Sequence, residues 1–359
     1  MAGSLKGLIK KPPLSPGSAG GAAAGGSAAG ADVLSDVLRH IRLTGSLQFC
    51  LMANGVWKTD DKPTLANLDL ATKSVVSVTG TIPFHIIVEG ACWMKMEGAL
   101  TELRAGDVVA FPFGTGHQLG AGDGDRMVTP VADLPPKPWR DVPTLQYGAE
   151  GAEAGSGVRI LCGFLQCDAM SFDPLRQALP TLLHVRTRED ADAAWLRAAI
   201  TQIVTEFDRP RSGGAAILER LTEVTFIELL RHQMHAAASA EAGWLAALSD
   251  PALSRCLALI HDDPAFDWSV EKLAAKSGLS RSALAERFDA VLGVAPMRYV
   301  RAWRLSLARS ALRSGNKGVS TIAFEAGYGT EAAFNRAFAR AYGVPPATWR
   351  QAARRLGAN

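Results

Sequence analysis

The residues best equipped for chemistry lie near the C-terminal end, and their chemistry is hydrogen bonding to nucleic acid. Asn335 and Arg336 are adjacent. An amide pairs bidentately with adenine and a guanidinium with guanine in the major groove. Glu331 and Glu286 carry carboxylates able to accept from cytosine N4, a role that competes with plain solvation of a helix. Ser282, Ala283, Ala285 and Ala332 offer small contacts, such as one to a thymine methyl. Ser280, Arg281, Arg301, Arg304, Thr330 and Arg340 have the donors expected of phosphate contacts, although any of these arginines could serve the fold instead.

These side chains need elements that present them together, and the spacing supplies two. Ser280, Leu284, Phe288, Gly293, Val294 and Pro296 recur fifty residues later as Thr330, Phe334, Phe338, Gly343, Val344 and Pro346. Ala274 and Gly278 recur as Ala323 and Gly327 at an offset of 49, the difference being one turn residue. Each copy reads as a capped helix, a turn opened by glycine, and a second capped helix. Ser269 caps the first helix of the first copy, and Ser320 is expected to do so in the second. Leu284 and Phe288, like Phe334 and Phe338, are four apart and face inward, while the small Ala274 and Ala323 allow a close crossing. This is helix-turn-helix spacing. Pro296 to Ser314 predicts an unbroken helix between the copies. Its nineteen residues span about 28 Å, and successive major-groove faces lie roughly 34 Å apart.

Charge agrees. The 359-residue chain has a net charge of +3. Residues 250–359 hold 16 Lys and Arg against 9 Asp and Glu, whereas the preceding part holds 22 against 26. A basic end behind an acidic body fits a polyanionic partner. No apolar run is long enough to span a membrane. Lys6, Lys10 and Lys11 precede Pro12 and Pro13 with no apolar stretch after them, which argues against a secretory signal. Five scattered cysteines suit a reducing cytosol better than a disulfide framework.

Residues 251–350 resemble the DNA-binding domain of the AraC/XylS family of bacterial regulators. Ala274, Gly278, Ser280, Leu284, Phe288, Gly293, Pro296 and Tyr299 carry the resemblance in the first half. Ile322, Ala323, Gly327, Tyr328, Phe334, Phe338, Gly343, Pro345 and Pro346 carry it in the second. The resemblance implies binding to double-stranded promoter DNA through both recognition helices, and recruitment of RNA polymerase.

Upstream, residues 1–31 are Gly, Ala, Ser and Pro-rich and read as a disordered tail. Asp32 to Arg42 predicts a short helix. Leu47 to Trp57, Ser74 to Thr79, Phe84 to Met96, Asp107 to Phe111 and Val158 to Cys167 predict strands. Ala191 to Phe207 and Ala215 to Ala238 predict helices. The apolar stripe of the second (Leu218, Leu221, Val224, Phe226, Leu229, Leu230) packs inside the domain or forms a homodimer interface. From Gly106 to His117 the spacing G-x5-P-x-G-x2-H resembles the second motif of cupin β-barrels, with Ala121 where that motif usually has Asn. The first motif's ligand positions fall on Ser77, Thr79 and Pro83, so His85 and His117 alone could point inward, too few for a metal site. The longer stretch from Asp32 to Arg355, including Gly243-Trp244-Leu245, is similar to cupin-type AraC regulators. That resemblance implies a sensor for a small-molecule effector of unknown identity or a chemical signal, lined by His85, Trp93 and His117, with Trp57 a further candidate and plain core an equal reading of Trp93.

The expected fold class is therefore α+β: an N-terminal cupin-like β-barrel with flanking helices and a C-terminal all-α domain with two helix-turn-helix units. The expected domains are 32–240 for sensing and dimerisation and 250–355 for DNA binding. No catalytic residue, metal or cofactor is assigned. A cupin metalloenzyme with a helical appendage is the rival reading, and it lacks ligands. Cys50, Cys92 and Cys162 fall in predicted strands, where inert buried thiols are the default over redox sensing.

Overall fold

The computed structural model describes residues 32–40, 43–59, 81–123, 126–136, 139–148, 157–167, 172–237 and 243–356. Helix α1 (Val33–His40) leads into strands β1 (Leu43–Ala53) and β2 (Trp57–Thr59). Then come β3 (Thr81–Glu89), β4 (Ala91–Met96), β5 (Ala99–Arg104), β6 (Asp107–Ala110), β7 (Gln118–Ala121), β8 (Met127–Val128), β9 (Thr144–Tyr147) and β10 (Val158–Cys167). Helix α2 (Asp173–Ala178) and strand β11 (Leu183–Arg186) precede α3 (Ala194–Asp208) and α4 (Gly214–Ala237).

The strands form two sheets, ordered β11-β6-β3-β10-β1-β9 and β5-β4-β7-β2-β8. Apolar side chains on both faces of the six-stranded sheet create two separate cores. Along β3, Ile82, Phe84 and Ile86 face the helices, whereas Ile87 faces the second sheet. The space between the sheets is filled by Phe49, Leu51, Trp57, Met94, Phe111, Leu119 and their neighbours. The predicted single run Phe84 to Met96 is two strands, because Gly90 turns the chain at φ +72. An added Cβ there would lie 3.1 Å from the Val158 Cα, so the turn also needs the missing side chain. Likewise β1 stops at Ala53, and Trp57 opens β2. The expected strand Ser74 to Thr79 and the expected 1–31 tail lie outside the described residues.

The C-terminal half is helical: α5 (Trp244–Ser249), α6 (Pro251–Asp262), α7 (Val270–Ser277), α8 (Arg281–Leu292), α9 (Pro296–Ser314), α10 (Val319–Glu325), α11 (Glu331–Tyr342) and α12 (Pro346–Leu356). The expected rod is α9, with the expected bounds. The two helix-turn-helix units, α7–α8 and α10–α11, are anchored differently. Leu273, Leu284 and Phe288 of the first unit, with Tyr299 of α9, belong to the same buried core as Val37, Phe172 and Phe226 of the N-terminal half. Ile322, Phe334, Phe338 and Trp349 make a separate core around the second.

Candidate DNA-reading helices and sensor core

The caps expected from the sequence position both recognition helices. The Ser280 hydroxyl accepts from Ala283 N at 3.2 Å and that of Thr330 from Ala333 N at 3.2 Å. Ser269 caps α7 by accepting from Lys272 N. Ser320 does not take the matching part: α10 starts from Gly318 with no side-chain cap, so Ser320 lies inside the helix. Gly278 and Gly327 turn the chain at φ +75 and +78. Leu284, Phe288, Phe334 and Phe338 are fully buried, which fixes the faces that remain outside.

On α8 the outer face carries Arg281, Ser282, Ala285 and Glu286, with Ala283 half-buried. Arg281 is ion-paired to Glu271 at 3.1 Å, both exposed. On α11 Glu331, Ala332, Arg336 and Arg340 are exposed and Asn335 is half-buried. Arg336 and Arg340 make no hydrogen bond or ion pair among the described residues, so their guanidinium groups are available to an external acceptor. Arg301 is exposed on α9.

Of the two roles open to Arg304, phosphate contact or support of the fold, its surroundings favour the second. Its Nε donates to Pro264 O at 2.7 Å, Nη1 to Gly327 O at 3.1 Å and Nη2 to Phe266 O at 2.8 Å. The half-buried guanidinium ties the loop between α6 and α7 to the turn between α10 and α11. It joins the two units and spends three of its five N–H groups on carbonyls of the protein. Gly327 belongs to the same joint: an added Cβ would lie 2.9 Å from Arg304 Cζ and 3.0 Å from Ala265 Cα. The sequence signal was weak, since Arg304 looks like any other arginine of α9.

In the barrel, strand register brings His85, Val109 and Cys162 into one row. The His85 Nε2 lies 2.8 Å from the His117 Nε2, and its Nδ1 lies 3.1 Å from the Cys162 Sγ. The His117 Nδ1 meets Thr115 O at 2.9 Å, and its ring stacks on Phe111 at 3.6 Å. A carbonyl only accepts, so His117 carries its proton on Nδ1 and accepts at Nε2. His85 then donates from Nε2 and accepts the Cys162 S–H at Nδ1. Burial lowers the pKa of both imidazoles, that of His85 well below its ordinary value, with the neighbouring His117 adding to the effect. Burial pushes the Cys162 thiol well up and Cys92 to about 12. All five cysteines are buried and none is in a disulfide, so the reactive-thiol reading lacks an exposed thiolate.

The pair His85 and His117 is thus brought together, whereas Trp93, expected beside them, is not. Cys92 and Met94 take the interior face of β4, which leaves Trp93 on the outside, covering Gly120 and donating to Gly122 O at 3.0 Å. Trp57 is interior, and its Nε1 has no partner among the described residues. No cluster of three or more His, Cys, Asp or Glu is placed to hold a metal among the described residues.

The junction between the halves was only partly visible in the sequence. Trp244 Nε1 donates to the Tyr299 hydroxyl at 2.9 Å, and His261 Nε2 lies 2.8 Å from that oxygen. Phe172, immediately before α2, sets its ring edge-on against Trp244, Tyr299 and Trp303 at 6.1, 5.7 and 5.6 Å. Trp244 and Tyr299 were flagged by resemblance. Phe172 carried no local signal because its partners lie far along the chain.

A barrel whose helix-covered face shares a core with the first of two linked helix-turn-helix units defines a class: a DNA-binding regulator with an attached β-barrel domain. A cupin family profile matches residues 32–235 and a helix-turn-helix profile matches 273–352. A putative AraC-like transcription regulator of Streptomyces antibioticus is 30% identical over 323 residues, 89% of this chain and 98% of that protein. The HTH-type transcriptional regulator AlkR of Acinetobacter baylyi is 29% identical over 271 residues, 74% of this chain and 87% of its own. Among solved structures, the DNA-binding domain of AdpA in complex with a target DNA is 27% identical, covering 30% of this chain and 95% of that one at a TM-score of 0.29. The chain belongs to the AraC family of helix-turn-helix transcription regulators, with an N-terminal cupin domain. That family regulates transcription by binding DNA, which removes the rival metalloenzyme reading. No helix among the described residues is long and apolar enough to cross a membrane.

Proposed function

We propose that the chain occupies promoter DNA with α8 and α11 in successive major-groove faces, reading bases chiefly through α11. The observation that carries this division is the outer face of α11, where exposed Arg336 has no internal partner and lies two positions from the buried Phe334. Asn335 and Glu331 flank it with amide and carboxylate groups. The α8 face offers Ser282, Ala283, Ala285 and Glu286, so its grip comes more from phosphate contacts near Ser280 and Arg281 and from DNA shape. Arg301 and Arg340 add backbone contacts. Residues 250–355 form the reading domain and 32–240 the sensing domain, which answers a small-molecule effector in the cytoplasm. Bound at its operator, the protein recruits RNA polymerase. Exposed Ile217 (39%) and Val224 (36%) on α4 support a homodimer through that helix, which sedimentation would test.

The decisive experiment is a binding titration across single-base operator variants at two salt concentrations. Arg336→Ala should cost about 1–3 kcal/mol and relax the preference at one base position. Arg301→Ala should weaken all variants alike and lower the salt slope by about one. A uniform loss for Arg336→Ala would show that this residue grips the backbone and reads nothing.

A further inference from the structure

Outside the barrel interior, a cavity of about 400 Å³ lies between the start of β1 and the turn joining α3 to α4. That is within the range of small-molecule sites. Its apolar walls come from Leu47, Val142, Phe207, Pro210 and Leu218. Its charged groups are three carboxylates, Asp141, Glu206 and Glu219, against one guanidinium, Arg140. Arg140 and Asp141 are exposed neighbours, which leaves the inner wall acidic.

Glu206 is the unusual member. Its side chain is fully buried, while the side chain of its partner Arg211 is 65% exposed. Arg211 donates to Glu206 from Nη2 at 2.5 Å and from its backbone N at 3.3 Å. Its guanidinium therefore covers the carboxylate from the solvent side. The turn that carries Arg211 runs on through Gly213 at φ +83. Gly214 closes over the same carboxylate, since an added Cβ would lie 2.5 Å from Glu206 Oε1. A buried carboxylate is costly to leave unpaired, and here its counter-charge sits on a surface side chain that can swing away. Phe207, next in sequence, already receives the Arg159 guanidinium over its ring at 5.4 Å, so its environment tolerates a cation on an aromatic face.

We infer that this cavity binds a lipophilic organic cation, an amine or quaternary ammonium, whose charge replaces Arg211 on Glu206 while its apolar body lies against Leu47, Phe207 and Leu218. The occupant touches both β1 and the first turns of α4. That helix packs Phe226, Leu229 and Leu230 into the core that also holds Trp244 and Leu245 of the reading half. Occupancy is thereby placed where it can bias DNA binding, and this last step rests on the sensing role proposed above.

The test is calorimetry on the full chain with benzyltrimethylammonium as the cation and 3-phenylpropionate as an anion of similar size, followed by operator titration with and without the cation. Saturable binding of the cation alone is expected. Glu206→Gln should weaken it at least tenfold, and Arg211→Ala should strengthen it several-fold by removing the internal competitor. Two contacts serving only the fold would not respond with opposite signs. Leu218→Trp, which fills the cavity and keeps both charges, should abolish binding with an unchanged circular dichroism spectrum. Absence of cation binding, equal binding of the anion, or indifference to Glu206→Gln in a folded protein overturns the site. Cation binding with these variant effects but no change in operator affinity upholds the site and refutes the sensing role instead.

Discussion

Replacing Arg304 by alanine separates a joint from a DNA contact. The side chain spends its fork on three carbonyls: Pro264 and Phe266 from the first helix-turn-helix unit's approach and Gly327 from the second unit's turn. Hydrogen bonds to charged groups contribute about 1.5–3 kcal/mol each, and three on one side chain are not additive. Truncation should therefore cost about 2–4 kcal/mol, the range typical of breaking a partly buried polar network. Lysine should recover less than half of this, because a single ammonium cannot span three acceptors. Urea unfolding of the full chain, followed by tryptophan fluorescence, measures the stability term. Operator titration at two salt concentrations measures the other: with the joint broken, specific binding should fall while the salt slope stays the same, since no phosphate contact is lost. A salt slope lower by about one, with stability changed by under about 0.5 kcal/mol, would refute the reasoning and return Arg304 to the phosphate set.

Gly327→Ala should disturb the same joint from its other side. Strain at φ +78 and the crowding against Arg304 together destabilise by about 1–3 kcal/mol, read in the same urea experiment; a neutral result would mean the turn can relax. Phe172→Ala empties the aromatic contact with Trp244, Tyr299 and Trp303 and should cost about 3–5 kcal/mol. Limited proteolysis should then release the reading half more readily, and an unchanged cleavage pattern would show that the halves hold together without Phe172. Acidification tests the barrel core. The pKa values of His85 and His117 are lowered in the folded chain, so the unfolded chain binds more protons between those values and about 6.5. Their contribution is fully present above about pH 6.5 and is lost as the pH falls below it. His85→Phe should flatten that slope in a pH series of urea midpoints, and an unaltered slope would place the acid sensitivity elsewhere.

Legibility in the sequence followed the range of the forces involved. The helical half could be read because its signals are local. Caps three residues from their amide partners, glycines at positive φ and paired aromatics four residues apart define α7, α8 and α11, and α9 has the bounds that Pro296 and Gly315 dictate. Where the cap was assumed from symmetry alone, at Ser320, the second unit departs: Gly318 starts α10. Short strands such as β5, β8 and β9 escaped because they are held by pairing across the sheet, and their own pattern is nearly silent. The resemblance implies an interior Trp93, and register overrides it: with Cys92 and Met94 inside, alternation sends Trp93 out.

Arg304 and Phe172 show the same limit at the scale of domains. Each acts on groups more than twenty residues away, and its type is compatible with several roles until the partners are in place. Their positions also explain why the two helix-turn-helix units are anchored unequally. The first shares a core with the N-terminal half through Phe172, Trp244 and Tyr299. The second has its own core and meets the first through α9 and the Arg304 joint. If the N-terminal half senses as proposed, its displacement acts on α8 directly and reaches α11 through that joint. The unit proposed to read bases is the one with its own core, so on that proposal the geometry set by Arg304 decides whether both units meet the groove together.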